Sequence, residues 1–160
     1  MPWQFYPDVD DAMHDWLKSL YIPYRNTLTP TSRLPLDTEI EWDTFWAGYQ
    51  ESSFIVYEEV TELGHLALGT KNPQLNGIQV IRVTHRWTGA GKSPYIKEFR
   101  EFITRKIYEN LSPLPSALTS VGVMEMLPMA SRIFQETKSG EEDFWVTEVR
   151  VATKVLNTTV

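Results

Sequence analysis

The feature that most constrains this chain is the stretch from Gly89 to Leu111, whose second half reads as an amphipathic helix. Pro94 suits a first helical position because its missing N–H has no partner there in any case, and Ser93 can cap the turn before it. Ile96, Phe99, Phe102, Ile103 and Ile107 then recur at helical spacing and form one wide apolar face. On the other face Glu101 precedes Arg105 and Arg105 precedes Glu109, each pair four residues apart. Ser112-Pro113-Leu114-Pro115 ends the helix. Two Phe and three Ile on one side need a sheet or a second helix to cover them, so the flanking strands are expected against this face.

The same stretch contains Gly89-Ala90-Gly91-Lys92-Ser93, which looks like the tail of a phosphate-binding loop. The full pattern requires a glycine five residues before Gly91, and that position is Arg86. Pro94 also removes an N–H from the turn where a phosphate would want one. No later apolar strand ends in an aspartate suited to magnesium. The stretch therefore reads as a Gly-rich connection into a capped helix, and no nucleotide or other cofactor is expected.

At 160 residues the chain is expected to form a single domain. Its charged and hydrophobic fractions, 22% and 42%, are those of an ordinary globular protein rather than a disordered one. Twenty aromatic residues (six Trp, seven Tyr, seven Phe) are more than one core needs, so some are expected at an interface. Cysteine is absent, which excludes disulfides, thiol catalysis and cysteine-ligated metals. No apolar run approaches the ~20 residues of a membrane helix, and Met1-Pro2-Trp3-Gln4-Phe5 lacks the pattern of a secretory signal. The expectation is a cytosolic product, or a particle assembled in the cytosol, with no membrane partner. Residues 1–76 hold twelve acids against four bases, whereas residues 77–160 hold nine acids against eleven bases. A stable nucleic-acid ligand wants the opposite of the first half; an acidic surface instead keeps DNA from adhering.

In chain order, Asp8 is placed to cap a first helix, with Asp10 and Asp11 in its first turn where the helix dipole favours them. Val9, Met13, Trp16, Leu17 and Leu20 form its stripe, Ile22-Pro23 is expected to end it, and His14 falls off the stripe as a solvated residue. Residues 24–37 contain Pro30 and Pro35 and read as an extended arm or long loop. From Glu39 to Tyr49 the chain alternates, with Ile40, Trp42, Thr44 and Trp46 on one side and Glu39, Glu41 and Asp43 on the other. Strand alternation explains those acids without a metal site or a general acid and base.

Ser53–Leu63 is a second strand, joined to the first by an expected hairpin near Gly48. Residues 64–77 are turn-rich, with His65–Leu68 as a possible short strand. Gly77–Trp87 is apolar on both faces at its start and belongs inside the sheet. His14, His65 and His85 show no metal-ligand spacing, so no metal is expected. After the helix, Leu118–Met129 reads as a strand around Gly122, residues 137–142 as a turn, and Phe144–Leu156 as the longest strand. Trp145, Thr147, Val149, Val151 and Val155 share one face of the last strand, and Glu148, Arg150 and Lys154 the other. The last two strands should pair as a hairpin. The expected fold is α+β, a mixed or mainly antiparallel sheet with two helices packed on it.

This order resembles the tail terminator and tail completion (neck) proteins of long-tailed bacteriophages. The resemblance is carried by the amphipathic N-terminal helix around Asp8–Leu17, the arm that follows, the central strands, the second helix and a closing hairpin ending in an alternating strand. It covers most of the chain as a pattern, without a diagnostic motif. It implies a virion protein assembled in the host cytoplasm, a homohexameric ring that caps the tail tube and presents the head–tail joining surface. Its partners would be further copies of itself, the tail tube protein and a head-closure or connector protein, with DNA in transit through the ring. Under that resemblance Tyr24, Arg25, Arg33, Trp42 and Trp46 are candidate subunit-interface residues, and Glu39, Glu41 and Asp43 a candidate acidic lumen face. No catalytic residue is implied.

Two other classes compete. One is a small cytosolic adaptor or immunity-type binding protein that uses its aromatic surface; the other is an enzyme using the Gly89–Ser93 loop or the clustered acids. Nucleotide affinity separates the enzyme from the rest, and association with a tail tube separates the ring from the adaptor.

Overall fold

The segment from Gln74 to Arg86, buried on both faces over most of its length, takes the middle place in a five-stranded sheet. The strands are β1 (Ile40–Trp42), β2 (Ser52–Gly64), β3 (Gln74–Arg86), β4 (Val123–Lys138) and β5 (Glu142–Leu156), in spatial order β1-β2-β3-β5-β4. β1 runs parallel to β2, and all other neighbours are antiparallel. β3 and β5 match from Gln74 opposite Leu156 to Arg86 opposite Phe144. The helices are α1 (Val9–Thr27), α2 (Ser93–Glu109) and the single turn α3 (Ser116–Thr119). This is the expected α+β fold, with the two main helices packed on one face of a mixed sheet. The structure is a computed structural model and describes residues 8–28, 34–46, 48, 50–64, 74–86, 93–138 and 142–156. Among these, no helix is long and apolar enough to cross a membrane. Arg33, the Gly89–Lys92 loop and His65–Leu68 lie outside them.

α2 is amphipathic as its spacing predicts: Ile96, Phe99, Ile103 and Ile107 are fully buried and Phe102 almost so. Burying each contributes about 2 kcal/mol against the exposed state. Tyr21 stacks on Phe99 at 5.1 Å with the planes 14° apart, and meets Phe102 edge-on at 5.4 Å. Those contacts clamp α1 to α2 over the sheet. On the solvent face Glu101 pairs with Arg105 at 2.7 Å, while Glu109 takes Lys106 rather than Arg105.

α1 departs from expectation in three ways. It continues through Pro23 to Thr27, so Tyr24 and Arg25 are helical and not part of an arm. Proline removes one helical hydrogen bond, but tertiary contacts hold the last turn: the Tyr21 hydroxyl donates to Pro35 O and Arg25 Nε donates to Leu34 O at 2.8 Å. Leu34 is buried in the core as a result. Asp8 occupies the N-cap position, yet its side chain makes no cap bond. His14 is buried rather than solvated, at 2% exposure. Its ring packs against Phe54 and edge-on against Trp42, and its two nitrogens lie 3.0 Å from Asp15 Oδ1 and 3.1 Å from Asp43 Oδ1.

The alternating strand expected from Glu39 to Tyr49 stops at Trp42. Asp37–Glu39 form a 3-10 turn, and Asp43 adopts a left-handed φ of 69° that turns the chain off the sheet. The chain then crosses the opposite face and returns as β2 beside β1 in parallel, with Ile40 opposite Ser52; the expected hairpin is not formed. Glu41 closes this crossover by accepting the backbone N–H groups of Gly48 and Gln50.

The segment expected as a strand from Leu118 begins instead as α3, with Leu118 buried beneath it. Gly122, at φ 91°, turns the chain into β4, and its carbonyl accepts Leu156 N–H at 2.9 Å. β4 then runs on to Lys138, far past Met129, and forms the predicted closing hairpin with β5.

Candidate functional site

Strand alternation puts Ile81, Val83, Val149 and Val151 under the helices, in the main core. Ile78, Val80, Arg82 and Glu148 therefore face the other way, onto a surface that no helix covers among the described residues. Sequence alternation placed Glu148 and Arg150 together on that face and assigned them no environment. In the structure Glu148 is only 4% exposed and Arg82 3%.

A ladder of alternating charge crosses this open face. Arg82 on β3 contacts Glu148 Oε1 at 3.1 Å on β5 and reaches past it to Glu136 Oε2 at 2.8 Å on β4. Arg132 on β4 holds the other Glu148 oxygen at 2.9 Å. Arg150 grips Glu59 through two bonds of 2.9 Å, with Nε and Nη2 donating. Those bonds hold the Glu59 carboxyl below its ordinary range. Burial, and then the Glu148 charge, raises the neighbouring Tyr57 phenol.

The crossover after β1 covers one half of this face. Phe45 and Trp46 lie over the Arg82 guanidinium at 4.1 and 4.9 Å, and Trp46 packs on Phe144 at 4.9 Å. A delocalised, weakly hydrated guanidinium tolerates such a setting where an ammonium would not. Arg86, the residue standing where a phosphate-binding loop needs glycine, donates to the carbonyls of Gly48 and Gln50 and ties the crossover down.

The other half is open among the described residues. Ile78, Leu127, Met129 and Ala152 form an apolar shelf around a groove of about 280 Å³, with Glu125 and Lys154 at its rim 3.6 Å apart. Leu127 is 57% and Met129 53% exposed. Sequence reading missed this shelf because it took Leu118–Met129 as one strand and marked no exposed face on it. The available signal was Leu127, on the same side of the strand as Glu125.

The residues proposed from sequence are not gathered in one place. Tyr24 packs on Phe102 and Trp42 packs among Tyr21, Phe54 and His14, both under the helices, with Trp42 Nε1 donating to Asp37 O. Arg25 serves the segment at Leu34. Trp46 is on the opposite face, beside Arg82. Glu39, Glu41 and Asp43 do not line one strand face: Glu39 accepts Leu36 N–H, Glu41 closes the crossover, and Asp43 lies at His14. The acids Asp8, Asp10 and Asp11 cluster at the start of α1, and mutual repulsion, Asp10 foremost, raises the Asp11 carboxyl.

Ser52 and His85 form a buried polar pair, Oγ to Nδ1 2.7 Å, with the imidazole pushed down to about 3 by burial. Both are fully enclosed, and the His85 ring lies against Phe99 beneath the helices. Such a pair fixes β2 against β3 and presents no reactive atom to solvent.

The chain matches no model of a known protein family, and no curated protein matches it.

Proposed function

We propose that this chain is a structural virion protein of the tail or neck of a long-tailed bacteriophage, a ring-forming subunit that caps the tail tube and offers the surface to which the head joins. The reading is supported by the order of elements: an amphipathic first helix, a mixed sheet, a second helix on the same face, and a closing hairpin. The observation that carries it is the apolar shelf of Ile78, Leu127, Met129 and Ala152, exposed beside a half-face that the chain's own aromatics close. Isolated domains seldom leave contiguous apolar surface on a sheet, and such patches mark contact sites. On this proposal the protein acts through shape and contact, and the buried charge ladder keeps the contact surface rigid.

The test is assembly on purified tail tubes of the matching phage, followed by electron microscopy and co-sedimentation. The wild-type protein caps tube ends as a ring; Leu127→Lys/Met129→Lys, with an unchanged circular dichroism spectrum, loses at least tenfold in tube association. Wild-type protein that ignores tubes overturns the reading, as does a double variant that caps them normally.

A further inference from the structure

β4 is the outermost strand of the sheet, and among the described residues no strand pairs with its far side. An edge of this length is usually blunted by proline, by bulges or by charge. In β4 the proline and the bulges fall in the first half, at Pro128 and at the register shifts between Val123 and Glu125 and between Pro128 and Ser131, while the second half carries charges of both signs, Arg132 and Glu136. From Ser131 to Thr137 it is regular, matching β5 without a break from Ser131 opposite Val149 to Thr137 opposite Asp143. Ser131, Arg132, Gln135 and Thr137 are exposed along this run. It presents a row of backbone donors and acceptors ready for another strand.

The sequence of that run indicates which strand fits. Ser131-Arg132-Ile133-Phe134-Gln135-Glu136-Thr137 is complementary to itself when reversed about Phe134. We propose that the Ser131–Thr137 edge is a docking site for the same edge of a second copy of this chain, antiparallel about a twofold axis at Phe134, joining two sheets into one of ten strands. In that register Arg132 of each copy faces Glu136 of the other, Ser131 faces Thr137, and the two Phe134 rings meet. Opposite charges and paired aromatics directly across an antiparallel ladder are the favourable combinations. A slide by two residues either way loses both Arg–Glu pairs, so the charges define the register.

The free valences agree. Arg132 engages Glu148 through Nε and Nη2, and Glu136 engages Arg82 through Oε2. The pairing joins Nη1 of the first to Oε1 of the second, so each group gains a partner while keeping its own. A twofold contact does not close a ring, so this inference stands apart from the tail-ring proposal and the two fail separately.

The chain has no native cysteine, which makes cross-linking clean. Ser131→Cys/Thr137→Cys should form an interchain disulfide under mild oxidation. The two positions are about 20 Å apart on one extended strand and cannot close on each other. Ser131→Cys/Gln135→Cys, which the register does not oppose, should cross-link at least tenfold more slowly. By sedimentation, Arg132→Gln or Glu136→Gln, each of which removes one charge without setting like charges against Glu148 or Arg82, should weaken dimerisation at least tenfold. Melting curves for each variant separate lost pairing from lost fold. Wild-type protein that stays monomeric at 100-fold above the working concentration overturns the inference. So does cross-linking at equal rates in the two cysteine pairs.

Discussion

Acid should destabilise this protein through His85 in a way one substitution isolates. The imidazole is fully enclosed, held at Ser52 Oγ, and its folded-state value is about 3, with burial as the cause. In the unfolded chain an ordinary histidine titrates near 6.5. The folded form therefore resists a proton that the unfolded form accepts. Above about pH 6.5 neither state is protonated and the group imposes no pH dependence. As pH falls from 6.5 towards 3 the unfolded chain gains the proton and stability drains away, at roughly 1.4 kcal/mol per unit once well below 6.5. Between pH 8 and pH 5 the loss amounts to about 2 kcal/mol, or some 4–8 °C in melting temperature for a domain of this size. Urea denaturation at the two pH values, on the wild type and on His85→Gln, measures it. Glutamine keeps a hydrogen-bonding group beside Ser52 and does not titrate. The variant will be less stable at pH 8, yet its own loss on going to pH 5 should be smaller than the wild type's by about 2 kcal/mol. Every other ionisable group is common to the two proteins and cancels in the difference. Equal losses in the two proteins would refute the reasoning, because they would mean that His85 takes up its proton in the folded state.

Two further substitutions probe the fold. Glu148→Ala leaves the buried Arg82 with one carboxylate instead of two and should cost about 3 kcal/mol in denaturant unfolding, whereas Arg82→Met/Glu148→Leu should cost clearly less because no buried charge is stranded. Gly122→Ala forces a side chain onto a φ of 91° and drives its Cβ into the Leu156 carbonyl, so about 2 kcal/mol or more should be lost, with amide exchange rising first at the α3–β4 turn.

Periodicity made the helix side of the sheet legible. The five apolar positions of α2 are all buried, β3 is interior because it is apolar on both faces, and the last two strands pair as a hairpin. Each of those features depends on which side chains share a face, and spacing reports that directly. What failed were places where a local rule met a tertiary contact. Pro23 ends a helix by propensity, but Tyr21 and Arg25 are bonded to the segment at Leu34 and Pro35, which holds the following turn helical. His14 lies off the stripe of α1, yet β1 and the turn at Asp43 close over it. The parallel placement of β1 depends on a left-handed turn at Asp43, a residue that tolerates that conformation without advertising it. Glu148 was put on the correct face, but its burial was not legible, since alternation says which way a side chain points and nothing about what lies over it. The lone Arg82 inside the most apolar strand was the available hint that a carboxylate waited opposite.

An antiparallel sheet with helices on one side is stable with a polar second face, and β-strand alternation makes that easy to encode. Here the second face is instead apolar at Ile78, Val80, Val146, Ala152 and Leu127, with its charges drawn inward into one ladder. Such a face is built to be covered. The chain supplies the cover for one half, where Phe45 and Trp46 close over Arg82 and Phe144. Had the whole face been meant for water, the crossover and its anchors at Glu41 and Arg86 would have no apolar surface to protect. Among the described residues, the half they do not reach carries the same kind of side chains without a lid. The difference between the halves is therefore one of source: in the assembly proposed here, the missing cover comes from another polypeptide.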